Sequence, residues 1–344
     1  MRGRQILIEP LPAGGHAAAL LVDGRLEDLL IDPPPEAGTA LPEAIFAARV
    51  GRPLKGLGGG IVDLGDGLHG FLRGARLPPQ GATVLVEVGA VAEPGKAPPV
   101  TTRVGLRGRT ALLTPGAPGC NVSRAVRDAQ RRATLEALGE TALAGAPPDL
   151  GLILRTAAEA TDDAEIVAEI AALRAEWEAA AAATDGPGLR RPAPGSRTQA
   201  LRDWRDMPTP LREDTAALAD AGIWEEVDLL LRPEVALSAG SMAVEPTRAL
   251  VCVDVNTGAE TGPAAALQAN IAAARELPRQ LRLRGLGGQV VIDFAPLAKA
   301  ERGRIEAVLS AALRRDGIET QVLGWTPLGH LELRRKRARR PLAR

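Results

Sequence analysis

Hydrophobic and polar positions change their period several times along this chain, and each change predicts a different element. Gln5 to Glu9 and Ala17 to Asp23 are short apolar runs joined by a Pro/Gly turn, and a third run spans Leu26 to Ile31. Asp23-Gly24 between the last two is a hairpin signal. Pro33-Pro34-Pro35 then breaks the pattern and marks a boundary. From about 44 to 115 the chain reads as many short strands with Gly and Pro turns, clearest at Ile61–Leu64, His69–Leu72 and Ala82–Val88. That spacing predicts a small barrel or sandwich. The glycines from Gly56 to Gly60 suit tight barrel bends and lack the Lys-Ser/Thr pattern of a phosphate loop.

Residues about 122–183 turn helical, interrupted by an apolar strand at Leu150–Leu154 that ends in Arg155-Thr156. Asp162 is placed to start a helix running through Trp177, and residues 185–200 read as a linker or loop. A further helix is expected within 211–231, and residues 233–247 read as broken by Pro, Gly and Ser. Two apolar strands follow, Val251–Asn256 and Gln289–Phe294, with a helix over about 263–284 between them. Pro278 is expected to kink that helix or end it early. A last helix over about 298–315 stops before Gly317. Strand, helix, strand, helix predicts an α/β unit with a parallel strand pair.

The chemistry concentrates on those two strands. Side chains alternate faces, so Cys252, Asp254 and Asn256 share one face, with Asp254 and Asn256 about 6–7 Å apart at the backbone. The second strand is apolar except at its ends, reads as covered on both faces, and carries Asp293. If the strands are neighbours, the two aspartates converge on one hard cation. Mg²⁺ suits them, because it takes one or two carboxylates and keeps positions for water and phosphate oxygens. Asn256 would then aim an amide donor at the same phosphate. The competing reading is that the acids cap strand ends or pair with arginine.

Composition narrows the partners little. Of 344 residues, 42 are Lys or Arg and 42 are Asp or Glu, so bulk charge points to none. Arg124, Arg127, Arg131 and Arg132 cluster, as do Arg334 to Arg340; such groups are phosphate-binding patches or else solvated helix faces and tails. Cys120 and Cys252 fit no metal or disulfide spacing, so no structural zinc is expected. No signal segment and no long apolar run are visible, which leads to a cytoplasmic expectation without a membrane segment. Aromatics are sparse, with four Trp, three Phe and no Tyr.

The residues from Glu245 to Gly258, with Asn270, Glu276, Arg279–Arg284, Leu286–Gly288, Val291–Phe294 and Pro327–Arg337, resemble the catalytic half of the ribonuclease E/G family of endoribonucleases. Val62–Gly65 and His69–Leu72 resemble the family's RNA-binding barrel, Thr101 to Arg124 its exit, and Leu152–Thr156 its 5′-end sensor. The resemblance implies an α/β and β multidomain protein. Its parts would be a trimmed RNase H-like subdomain (1–35 and 205–247), an inserted OB-type barrel (36–115), a sensor region and linker (116–204) and a DNase I-like catalytic subdomain (248–344). By position it makes Asp254 and Asp293 the metal ligands and Asn256 a holder of the scissile phosphate. Arg155 and Thr156 would contact a 5′-monophosphate, and Phe71 would hold single-stranded RNA. Mg²⁺, with Mn²⁺ as an alternative, would activate water for in-line attack.

Against these stand plainer readings: Phe71 as a core phenylalanine, Arg155 paired with a nearby acid such as Glu159, and His69 and His330 as structural. Ile61 stands where the family has a second barrel phenylalanine, and Pro296 where it has an acid. The chain given lacks the family's zinc-link cysteines and the small domain beyond, so a homo-oligomer is compatible with it but a zinc-linked tetramer is not expected. The expected activity is Mg²⁺-dependent cutting of single-stranded RNA, favouring 5′-monophosphorylated ends, in RNA processing or decay. The alternative is a weak or inactive RNA-binding homologue. A metal phosphodiesterase acting on small substrates is disfavoured, because it leaves the barrel and the basic clusters without a use.

Overall fold

Local turn chemistry starts the fold. Asp23 and Gly24 both take positive φ, 52° and 80°, which is the backbone a two-residue hairpin needs. They join strand β2 (His16–Val22) to β3 (Arg25–Ile31), and β2 also pairs antiparallel with β1 (Arg4–Pro10). The computed structural model describes residues 3–34, 38, 40–182, 186–205 and 209–343, without the side chain of Lys55. Pro35 of the expected boundary and Asp185 of the expected loop lie outside the described residues. The chain divides into two units, residues 1–24 with 30–217 and residues 25–29 with 218–344.

In the first unit the region of short strands closes on itself. β4 (Ile45–Leu54), β5 (Gly59–Gly65), β6 (Leu68–Arg73), β7 (Thr83–Val88) and β8 (Pro99–Thr101) follow the order β4-β5-β6-β8-β7, and β7 pairs back onto β4. All these pairings are antiparallel except β6–β8. Closure removes the free edges, and the order is consistent with an OB-type barrel. Phe46, Val50, Val62, Leu64, Leu72, Val86 and Val88 fill its interior. A second sheet comprises β9 (Leu106–Arg107), β10 (Ala111–Pro115), β11 (Gly119–Val122) and β12 (Leu150–Leu154), in the order β11-β12-β10-β9. Helices α1 (Ala129–Leu143) and α2 (Asp163–Ala182) pack on it through Leu135, Ile166 and Ile170. The expected linker is structured instead. β13 (Gly188–Arg191) extends the barrel sheet along β4, and α3 (Ser196–Asp203) begins five residues later. β14 (Leu211–Glu213) joins β1 in parallel.

The second unit is built on one sheet. After α4 (Ile223–Leu230) come β15 (Glu234–Ala236), β16 (Ser241–Pro246) and β17 (Val251–Asn256). Then follow α5 (Pro263–Leu283), β18 (Gly288–Asp293), α6 (Arg302–Asp316), β19 (Thr320–Trp325) and β20 (Leu331–Arg335). The strand order is β15-β16-β17-β18-β20-β19, and β17 and β18 run parallel. Val251, Val253, Val255, Val290, Ile292, Leu331 and Leu333 pack against Leu277 and Leu281 of α5 and Ile305 and Leu309 of α6. Burying each such side chain stabilises the unit by about 1.5–3 kcal/mol.

Three expectations change here. The stretch 233–247 forms the hairpin β15–β16, whose strands are short but are held by pairing with β17. Helix α5 runs through Pro278, because the proline and its neighbours Leu277 and Leu281 are buried in the core. That burial offsets the roughly 3 kcal/mol a mid-helix proline costs. Strand β18 is covered on one face only, with Val290 and Ile292 buried while Gln289 and Asp293 are exposed.

Charged groups lock this unit together. Asp316, at the end of α6, pairs with Arg282 of α5 and stands 2.6 Å from Nη2 of Arg335 on β20. Arg335 is buried, and burial pulls its guanidinium below the ordinary value against the attraction of Asp316. Asp28 accepts from Arg339 and faces Arg282 at 3.3 Å. Burial opposes its ionisation, but Arg339 and Arg282 outweigh it and hold the carboxyl below its ordinary range. Part of the basic C-terminal stretch is therefore structural. Among the described residues no helix is long and apolar enough to cross a membrane. Asp316→Ala leaves two buried arginines without their shared acid, and is expected to cost about 3–5 kcal/mol. Urea unfolding measures it; a loss below about 1 kcal/mol would count against this account.

Candidate functional site

The parallel register of β17 and β18 sets Asp254 directly beside Asp293. Neighbouring strands are about 4.8 Å apart, so the two carboxylates leave the sheet side by side. Both lie on the face that α5 and α6 leave open. Along β17, Val251, Val253 and Val255 are buried, and Cys252, Asp254 and Asn256 are exposed. The Asp293 side chain is 62% exposed. The aspartates are thus not the costly buried groups that apolar strands alone suggest. Alternation sends the valines into the core and the acids outward.

Asn256 follows on the same face, and its Nδ2 donates to Asp254 Oδ2 at 2.7 Å. An asparagine amide has two N–H donors, so one remains for a ligand. The hairpin turn before β16 fixes the end of this strand. Gly240 has φ 70°, and a Cβ there would lie 2.1 Å from the Asn256 carbonyl oxygen. Only glycine allows that approach.

Beyond β18 the backbone is pinned from the helix side. Asn270, fully buried on α5, donates to the Ala295 carbonyl at 2.9 Å and accepts from the Ala295 N–H at 3.0 Å. This pair closes both polar groups of Ala295, two residues past Asp293. A buried asparagine in a helix otherwise rich in alanine was the available signal for this positioning role. Nearby, Phe294 packs on Trp325 with ring centres 5.7 Å apart, and the Arg302 guanidinium sits over Trp325 at 4.6 Å.

Two adjacent carboxylates repel each other unless a cation lies between or beside them. Among the described residues no Lys or Arg pairs with Asp254 or Asp293; the Asp293 carboxylate faces His330, 3.7 Å away. No group of three His, Cys, Asp or Glu among the described residues is placed to hold one ion. Two carboxylates and open solvent match what Mg²⁺ takes. The donor set therefore fits a hard divalent cation.

The other expected residues lie in the first unit. Phe71 on β6 is half-buried and stands outside the barrel interior that Leu72 enters, so it is not a core phenylalanine. Its cross-strand partner is Ile61. Arg155 follows β12, and its Nη1 donates to the Gly108 carbonyl. Its Nη2 faces Asp203 Oδ1 at 3.6 Å, so the nearby acid is Asp203, not Glu159. Thr156 is exposed, with Oγ1 3.0 Å from Ser123 Oγ. Of the nearby arginine cluster, Arg131 is tied to Asp163 and to the carbonyls of Ala158 and Thr161, and Arg132 to the carbonyl of Ser123. Arg124 and Arg127 remain exposed.

The amino-acid sequence matches the model of the Ribonuclease E/G family over residues 105–207 and 207–338. It is 30% identical to ribonuclease E of Nostoc sp., over 85% of this chain and 51% of that protein. To ribonuclease G of Escherichia coli K12 it is 27% identical, over 97% of this chain and 80% of that protein. Ribonuclease E of Haemophilus influenzae is 29% identical over 92% of this chain and 40% of its own length. The chain thus spans about half of the first of these relatives and about four fifths of the second. On the extent of the family match, the chain belongs to the ribonuclease E/G family.

Proposed function

We propose that this chain is a cytoplasmic endoribonuclease that cuts single-stranded RNA during RNA processing or decay, with Asp254 and Asp293 as ligands of Mg²⁺ or, alternatively, Mn²⁺. The observation that carries this is the pair of exposed, register-matched carboxylates with no Lys or Arg partner among the described residues. When bound, the cation supplies Lewis-acid stabilisation of the charge on the scissile phosphate and a water made acidic near neutral pH. The chain's own residues do the rest. Asn256, oriented by Asp254, turns its second N–H to a non-bridging phosphate oxygen. Asn270, through Ala295, keeps Asp293 in register with Asp254.

In the first unit, Phe71 offers a ring face outside the barrel core on which a base stacks, the usual device for single strands. Arg155 and Thr156 supply a guanidinium and a hydroxyl for a 5′-monophosphate. Asp203 competes for that guanidinium, so a dianionic phosphate is favoured over an uncharged 5′-hydroxyl. In this reading the barrel and the sensor lie in the first unit and the DNase I-like catalytic part, residues 248–344, in the second, while the RNase H-like part, residues 1–35 and 205–247, draws residues from both.

With Mg²⁺ and a short A/U-rich RNA, the wild-type chain is expected to cut, and Asp254→Asn or Asp293→Asn to lose about 10³-fold or more. That corresponds to roughly 4 kcal/mol of transition-state stabilisation. RNA affinity should stay near wild type, measured by filter binding. Full activity in both variants would sink the site assignment, and salt-dependent binding without cleavage in the wild type would favour a non-catalytic RNA-binding homologue. Phe71→Ala is expected to weaken single-strand binding by about 1–3 kcal/mol; an unchanged Kd would remove Phe71 from the RNA path. Arg155→Ala should erase the preference for 5′-monophosphate over 5′-hydroxyl RNA in a paired rate comparison. Equal rates on both ends in the wild type would rule out a sensor.

A further inference from the structure

The row that begins with Asp254 and Asp293 continues across the sheet. In the antiparallel pairing of β18 with β20, Ile292 stands opposite Leu331. One step further along that register His330 comes opposite Asp293. Side chains opposite each other across a strand pair project to the same side, and here the His330 Nε2 is 3.7 Å from Asp293 Oδ1. The imidazole is 32% exposed, so it reaches solvent on the open face.

The turn between β19 and β20 fixes the position of His330. Its N–H donates to Thr326 Oγ1 at 3.1 Å, and its carbonyl accepts from the Thr326 N–H at 2.8 Å. The ring is thus held beside the carboxylate by a closed turn. From the sequence His330 reads as structural and close to a basic tail. Its placement in line with two aspartates depends on a strand pairing that sequence spacing does not reveal.

We infer that His330 is a positioning residue of the cation site: its Nε2–H holds one oxygen of Asp293 and leaves the other for the cation. This rests on the reading of Asp254 and Asp293 as cation ligands. A separation of 3.7 Å is longer than a hydrogen bond, and such contacts tighten when a site is loaded. Ligating carboxylates are themselves held by hydrogen bonds from outside the coordination sphere, which orient them. Direct ligation by the imidazole is the competing role, and it would draw the site toward softer transition metals. The structure favours positioning, because among the described residues no three such side chains converge on one ion.

The test measures Mn²⁺ affinity of the full chain by electron paramagnetic resonance without RNA, alongside the Mg²⁺ dependence of cleavage. His330→Ala is expected to weaken Mn²⁺ binding and raise the Mg²⁺ requirement by about 10-fold, the lower end of such effects. Thermal unfolding and RNA affinity should remain at wild-type values. His330→Gln, which keeps an N–H donor at a similar reach, should recover most of the loss. Unchanged Mn²⁺ affinity in His330→Ala overturns the inference. So does a glutamine variant as weak as alanine whose Co²⁺ and Zn²⁺ affinities fall further than its Mn²⁺ affinity, since that pattern marks a ligand. Asp293→Asn is the separate control. If it binds Mn²⁺ like the wild type, the cation reading of the aspartates fails, whatever His330 does.

Discussion

A sheet that is covered on one face and open on the other is the constraint from which the second unit's chemistry follows. Two unpaired carboxylates buried in an apolar interior would cost far more than the unit can spare. Along β17 and β18 the buried positions are Val251, Val253, Val255, Val290 and Ile292, which face α5 and α6. The intervening positions, Asp254, Asn256 and Asp293, reach solvent and avoid that penalty. The same strands therefore anchor the core and present the site. A register slip of one residue would exchange the two sets and abolish both.

Holding that sheet against its helices falls partly to buried charge. Asp316 ties α5, α6 and β20 together through Arg282 and Arg335, and Asp28 brings in Arg339. A buried ion network is weak evidence for net stability, since apolar residues of similar volume often do as well. Its consequence here is geometric. It fixes the strand that follows His330 relative to the helix that carries Asn270, and both residues bear on the segment around Asp293.

The first unit distributes its candidate residues differently. Phe71 sits on a closed barrel, where alternation turns Leu72 inward and leaves the aromatic ring outside the core. Arg155 is held at the mouth of β12 by the Gly108 carbonyl and faces Asp203, an acid from a helix 48 residues further along the chain. Several arginines that a charge count marks as phosphate ligands, Arg131 and Arg132 among them, spend their donors on backbone carbonyls. A cluster in sequence thus says little about which guanidinium is free, because buried carbonyls compete for every donor.

Local patterns in the sequence determined much of this protein. Period-two alternation placed Asp254 and Asn256 on one side of a strand, the Asp23-Gly24 turn formed where its backbone requirements said, and Gly317 ended α6 in the left-handed conformation. Ordered motifs across the chain carried the family. What the tertiary structure alone decided was every feature that depends on which segments become neighbours. A hairpin emerged from 234–246, where pairing with β17 outweighs poor local strand signals. Helix α5 passed through Pro278 because burial of its flanks exceeds the lost hydrogen bond. Asp254 met Asp293, and His330 came beside them, only once β18 lay between β17 and β20. Spacing along a chain reports which face a side chain takes; long-range pairing sets what it finds there.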